Sequence, residues 1–252
     1  MTTSGYPAAA RSDICDNLDG HLVADPYRWL EDPGSAATQE WLAAQDELYA
    51  AAAAGLPGRE RLSGRLAELL SAGLVTAPTW RAGRQFYLRR DAGQEHAVLY
   101  TATAGEGERV LIDPMTVDPA GTTTLDAWQP DHEGRYEQFG LGETWNDEYG
   151  TAADPVELTW LLGYSPYHHV RPGTSYPAVL FTVFDGDTRV DPMHARKMCA
   201  ALQYATTGPL AERPVLLRRE QDVGHGARAV SRTVTLSAEQ LAFVAAHTGL
   251  EL

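Results

Sequence analysis

The stretch from Pro177 to Gly226 decides the fold. It reads PAVLFTVF over 177–184, DGDTR over 185–189, MHARKMCAALQYA over 193–205, PVLLRRE over 214–220 and DVGHG over 222–226. The first run is continuously apolar, β-branched and aromatic, with Pro before it and Asp-Gly after it, the pattern of a strand buried on both faces. The second has helical periodicity and the third is again a strand. Two strand-then-helix units of this kind predict an α/β fold with a parallel sheet, and in such a sheet the working groups sit beyond the carboxyl ends of the strands. Asp187 and His225 both fall at that position.

An acid after one strand and a glycine-flanked histidine after the next match the last two members of a hydrolase triad with the chain order Ser, then Asp or Glu, then His. In that reading the carboxylate orients the imidazole and stabilises its charged form, and the imidazole takes the serine proton. Gly224 and Gly226 would give the histidine loop backbone freedom. A plainer reading stands beside it, since loops after strands are rich in Asp and Gly for turn reasons alone. The nucleophile elbow Gly-x-Ser-x-Gly occurs nowhere in the 252 residues. Ser165 precedes a proline, Ser175 lies in a Pro-rich loop, and Ser35, Ser63 and Ser71 belong to helices or their flanks. Covalent catalysis needs all three groups, and two are written here.

Outward from that centre, the chain begins with about thirty extended, polar residues ending in Ala24-Asp-Pro-Tyr-Arg-Trp-Leu-Glu-Asp-Pro33, suited to an arm laid over a domain. Helices are expected over Ser35–Ala54, with Trp41, Leu42, Gln45, Leu48 and Tyr49 on one face, and over Gly58–Ser71; the two should pair as a hairpin. From Ala77 the period becomes two. Pro78–Trp80, Gln85–Leu88, Ala97–Tyr100 and Arg109–Ile112 alternate with turns and predict a four-strand antiparallel meander, the size of one propeller blade. Leu125–Trp128 and Arg135–Phe139 start a second unit that does not close, although propellers need four or more blades. After Gly142 come a helix over Pro155–Tyr164 and, beyond the central stretch, a final helix over Ser237–His247 with a Ser cap. The resulting division is 1–76 for arm and helical hairpin, 77–142 for a partial propeller, and 143–252 for the α/β part.

Composition narrows the classes further. The net charge is −14 and hydrophobic residues make up 44%, with neither half basic, so nucleic acid and anionic membrane surfaces are not expected partners. Cys15 and Cys199 are expected to be reduced structural thiols, Cys199 within the core. No secretory signal or membrane span is read, and a cytoplasmic protein is expected. Asp185, Asp187 and Asp191 alternate as in a calcium loop, but Val190 and Arg196 stand where that loop needs Gly and Glu. Adjacent His168 and His169 lack a ligand spacing. No metal and no cofactor are expected.

On Asp25-Pro-Tyr-Arg-Trp-Leu-Glu-Asp32, Trp145-Asn-Asp-Glu-Tyr-Gly150, Tyr164-Ser-Pro-Tyr-His-His-Val170, Asp185-Gly-Asp-Thr-Arg-Val190 and Gly224-His-Gly-Ala227, the chain resembles the prolyl oligopeptidase family with its middle missing. The resemblance implies a remnant of an α/β-hydrolase domain with a fragment of β-propeller, and a serine-type endopeptidase ancestry with cleavage of short peptides after proline. It implies that Asp187 and His225 are the triad acid and base, that Trp145 stacks on the substrate proline, that Tyr149 and Val190 line the same pocket, and that Arg189 holds a substrate carbonyl. The serine elbow, the oxyanion hole and most blades would fall between about Gly140 and Glu143. Loss of the nucleophile together with the oxyanion donors, the latter alone worth about 3 kcal/mol, predicts an inactive chain. Two further readings remain open. One is a non-catalytic module that binds proline-containing short peptides or a partner chain. The other is complementation by a separate polypeptide bearing the serine. Parallel strands with open edges would favour a partner or self-association.

Overall fold

A computed structural model describes residues 5–251 except 19, 82, 126–153, 188, 189, 222, 225 and 227. In chain order the strands are β1 (Cys15–Leu18), β2 (His21–Ala24), β3 (Leu74–Val75), β4 (Thr79–Arg81), β5 (Arg84–Arg90), β6 (Val98–Thr103), β7 (Gly107–Ile112), β8 (Val179–Phe184) and β9 (Val215–Glu220). The helices are α1 (Ala36–Ala54), α2 (Arg59–Leu70), α3 (Pro114–Val117), α4 (Pro155–Tyr164), α5 (Met193–Ala205) and α6 (Val230–Thr248). The chain divides into two compact units, 1–55 with 140–221 and 56–139 with 222–252. None of the described helices is long and apolar enough to cross a membrane.

The first unit is built on a β-α-β crossover. β8 and β9 pair in parallel, from Val179 opposite Val215 to Phe184 opposite Glu220, with α5 as the connection. The two strands are unequally covered. β9 packs under α1 and α5 and is buried along most of its length, whereas β8 is mostly half-buried, with Val183 its buried residue. The apolar run at 177–184 is thus not enclosed on both faces: among the described residues β8 pairs with β9 alone, and burial follows from what covers a strand as much as from its side chains.

α1 starts at the Ser35 cap, whose side chain accepts from the Thr38 N–H, and its Trp41, Leu42 and Gln45 are buried. Gln45 and Gln203 donate to each other's side-chain oxygens at 2.8 and 2.9 Å, and Gln203 also donates to the Val215 carbonyl. This amide pair satisfies buried polar groups where α1, α5 and β9 meet. Around it lie Tyr27, Leu30, Leu202, Leu217 and Cys199, whose thiol is wholly buried and whose pKa that burial pushes up.

The arm is more ordered than its polar sequence suggests. β1 and β2 form an antiparallel hairpin, and the Asn17 side chain accepts from the Gly20 N–H at a left-handed φ of 88°. The Asp19-Gly20 dipeptide is a hairpin signal that sequence reasoning passed over. Trp29 donates its indole N–H to the Ala10 carbonyl, and the Tyr6 hydroxyl accepts the Val215 N–H at 3.0 Å, capping the start of β9. Lys197 on α5 bridges Asp25 and Glu31 at 2.8 and 2.7 Å, and Arg28 adds a second cation to Asp25. Burial works to raise the Asp25 pKa, but the Lys197 and Arg28 contacts outweigh it and hold the carboxyl below its usual range.

The second unit carries the expected meander. β4, β5, β6 and β7 are sequentially antiparallel, and β3 joins β5 beyond β4. β6 is the buried strand and β7 is exposed throughout. The second blade expected at 125–139 lies, from 126 onward, outside the described residues. α2 packs on α6, and Arg59 pairs with Glu239 at 3.2 Å. α1 belongs to the first unit and α2 to the second, and the leucines of α2 are half-buried or exposed.

The last helix also starts earlier than Ser237. Glu95, from the strand region, accepts from both the N–H and the hydroxyl of Ser231 at 2.9 Å, supplying from a distance the cap that the local sequence lacks. That backbone contact leads the lowering of the Glu95 pKa. Thr233 and Thr235 turn their hydroxyls back onto the carbonyls of Ala229 and Ser231, which lets a hydroxyl-rich stretch stay helical.

Candidate active site

The candidate site lies at the carboxyl end of β8. The Asp185 N–H donates to the Glu220 carbonyl at 3.0 Å, carrying the parallel ladder one step past the strand, and the Asp187 N–H donates to Phe184 at 3.0 Å to close the turn. The Asp187 carboxylate accepts the Val190 N–H at 2.9 Å. A half-buried acid is thereby fixed in direction by its own loop, a local Asx-type bond that Asp makes readily. Val190 is exposed. Asp191 then opens α5 by accepting from the Met193 N–H at 2.8 Å.

Two guanidinium groups, that of Arg196 buried and that of Arg219 half-buried, flank this loop. Arg219 of β9 reaches Asp46 of α1 at 2.6 Å and Asp185 at 3.4 Å. Arg196 of α5 donates to the Leu30 carbonyl at 2.9 Å and lies 3.9 Å from Asp191. Burial lowers the Arg196 pKa while Asp191 and Asp185 oppose that shift. These residues were not singled out in the sequence. Arg218-Arg219 are adjacent cations in the charged half of β9, but the carboxylates they meet are not written beside them.

Among the residues read as functional, Asp187 and Val190 are placed at one strand end. His225, Arg189, Trp145 and Tyr149 lie outside the described residues. Among those described, no group of three or more His, Cys, Asp or Glu side chains is arranged to hold a metal. A carboxylate held in a fixed turn at the end of a parallel strand is suited to orient and charge-stabilise an imidazole.

Comparisons with known proteins bear on what that carboxylate serves. Residues 6–153 match the family model described as prolyl oligopeptidase, N-terminal beta-propeller domain, and residues 131–251 match the prolyl oligopeptidase family model. The matches overlap over 131–153. A prolyl endopeptidase of Elizabethkingia miricola is 39% identical over 119 residues, 46% of this chain and 16% of the relative. Prolyl oligopeptidase A of Galerina marginata is 32% identical over 117 residues, 46% of this chain and 16% of the relative. The matched stretch thus spans about a sixth of these relatives' length. A solved chain from a structural and mechanistic study of two prolyl endopeptidases superposes with a TM-score of 0.82, covering 98% of this chain and 100% of that one at 16% identity. At that identity the likeness concerns the fold.

Proposed function

Because the chain belongs to the prolyl oligopeptidase family, we propose that it carries the acid and base of a post-proline serine peptidase site, Asp187 and His225, without a serine for them to activate. The observation that carries this reading is the Asp187 carboxylate, held by the Val190 N–H at the end of β8, in a sequence with no Gly-x-Ser-x-Gly. Asp187 would orient His225 and stabilise its imidazolium. With no Gly-x-Ser-x-Gly elbow to present a hydroxyl, that base has no reaction to serve in the chain by itself. Trp145, Tyr149 and Val190 would form a wall for a proline ring and Arg189 a clamp on a peptide carbonyl, so short proline-containing peptides are the ligands to test. The setting we assign is cytoplasmic.

Fluorophosphonate labelling tests the reading. No adduct is expected on any serine of the purified chain, and an adduct together with hydrolysis of a prolyl substrate would overturn it. A second reading is favoured by the sheet: β8 is an apolar strand that pairs, among the described residues, with β9 alone. An unpaired strand edge is a template for another chain, here a serine-bearing polypeptide or a second copy. An adduct on a co-purifying partner would support the former, and a concentration-dependent dimer without an adduct the latter.

A further inference from the structure

A cavity of about 240 Å³ opens in the first unit between the arm and the C-terminal half of α5. Tyr27, Tyr167, Tyr204 and Pro172 supply its walls, and Arg11 is the one arginine or lysine among its lining residues. The Arg11 guanidinium lies over the Tyr204 ring at 4.3 Å. Tyr27 is 1% exposed, and its hydroxyl has no hydrogen-bond partner. Buried hydroxyls are nearly always satisfied, so an orphan one in a cavity wall is a binding group waiting for a ligand.

The geometry points to this cavity as a binding site for a small aromatic carboxylate. Three tyrosines and a proline line the cavity, an aromatic-rich lining for which a single ring is the matching shape. The acid group is recognised by Arg11, which presents planar donors suited to a carboxylate. The unpaired Tyr27 hydroxyl in the same lining is the second donor for the acid. Burial raises the Tyr27 pKa to about 12, with Arg11 opposing, so the phenol keeps its proton at neutral pH.

His168, stacked edge-on to Tyr167 at 5.2 Å, has its pKa lowered by burial first and then by Lys197, and adds no charge near neutrality. The acid behind this wall, Asp25, accepts from the Tyr167 hydroxyl at 3.3 Å and is covered by Lys197 and Arg28, so it does not oppose an anion. The volume falls below the roughly 300–1,000 Å³ of drug-sized pockets, which fits one ring with a short acid tail. Tyr204 lies about 16 Å along α5 from the turn beyond β8, at about 1.5 Å per residue. The site is therefore independent of the peptidase reading, and phosphonate labelling does not bear on it.

The test is a calorimetric or NMR titration of the full chain with 3-phenylpropionate and, in parallel, with 3-phenylpropionamide. The acid is expected to saturate at millimolar concentration or below, and the amide to bind at least about tenfold more weakly. Arg11→Gln, at an exposed position, should bring the acid down to the level of the amide. Tyr27→Phe should weaken the acid several-fold with the thermal melt unchanged. Equal binding of acid and amide, undiminished acid binding by Arg11→Gln, or no saturation by about 10 mM would each overturn the assignment. Should Tyr27→Phe lower the melt, Arg11→Gln alone decides.

Discussion

β9 and β7 contain almost the same apolar text, Val-Leu-Leu and Val-Leu-Ile, and meet opposite fates. Val215, Leu216 and Leu217 are 0, 2 and 1% exposed, while Val110, Leu111 and Ile112 are 47, 37 and 40% exposed. The difference lies in the neighbours. β9 has α1 and α5 over it and the Tyr6 hydroxyl at its start, whereas β7 pairs only with β6 among the described residues. A strand's sequence states that it must be covered, and the rest of the chain decides whether it is. Among the described residues the two cases coexist: a crossover covered by its helices and a meander whose last strand pairs on one side.

The comparison predicts unequal costs for equal truncations. Leu217→Ala should cost about 3 kcal/mol and lower the melting temperature by roughly 10 °C, read by urea and thermal denaturation. Next in size is the clamp between arm and α5. Lys197→Met leaves buried Asp25 with Arg28 as its one remaining cation beside the Tyr167 hydroxyl and should cost about 2 kcal/mol. Its sign with pH is fixed, because the folded Asp25 carboxyl titrates below the unfolded one. The stability it contributes is held above the unfolded value of about 4 and lost as pH falls through the lower folded value. Asp25→Asn should flatten that acid limb. Leu111→Ala should fall within about 0.5 kcal/mol of the parent. A cost equal to that of Leu217→Ala would mean that β7 is covered in solution. Leu111→Lys sharpens the point: if the open edge drives self-association, sedimentation velocity should show less of it with the melt unchanged.

The crossover was legible because each of its signals is local: a continuous apolar run, a Pro-Val-Leu-Leu start, a helical period over 193–205 and Asp-Gly punctuation. α4 and the meander strands were legible for the same reason, as a helix opening at Pro155 and a period of two with Gly turns. What the sequence hid depends on distant residues. α6 begins at Val230 because Glu95, 136 positions earlier, caps it. α1 packs on β9 and α2 on α6, partners that both lie far away in sequence. The half-burial of β8 depends on which strands stand beside it. At the candidate site, Asp187 was readable from its place after a strand. The Arg219 and Arg196 clamp was not, because Asp46, Asp185 and Asp191 come to those guanidinium groups only through the fold.

The two thiols turn the molecule into its own reporter. Cys15 is exposed and Cys199 is sealed in the core with its pKa pushed up, so an alkylating reagent near neutrality should mark the first at once. It should reach the second only during moments when α5 lifts from β9. The lag between one adduct and two, followed by mass spectrometry, would clock the opening of the crossover without a mutation or a dye.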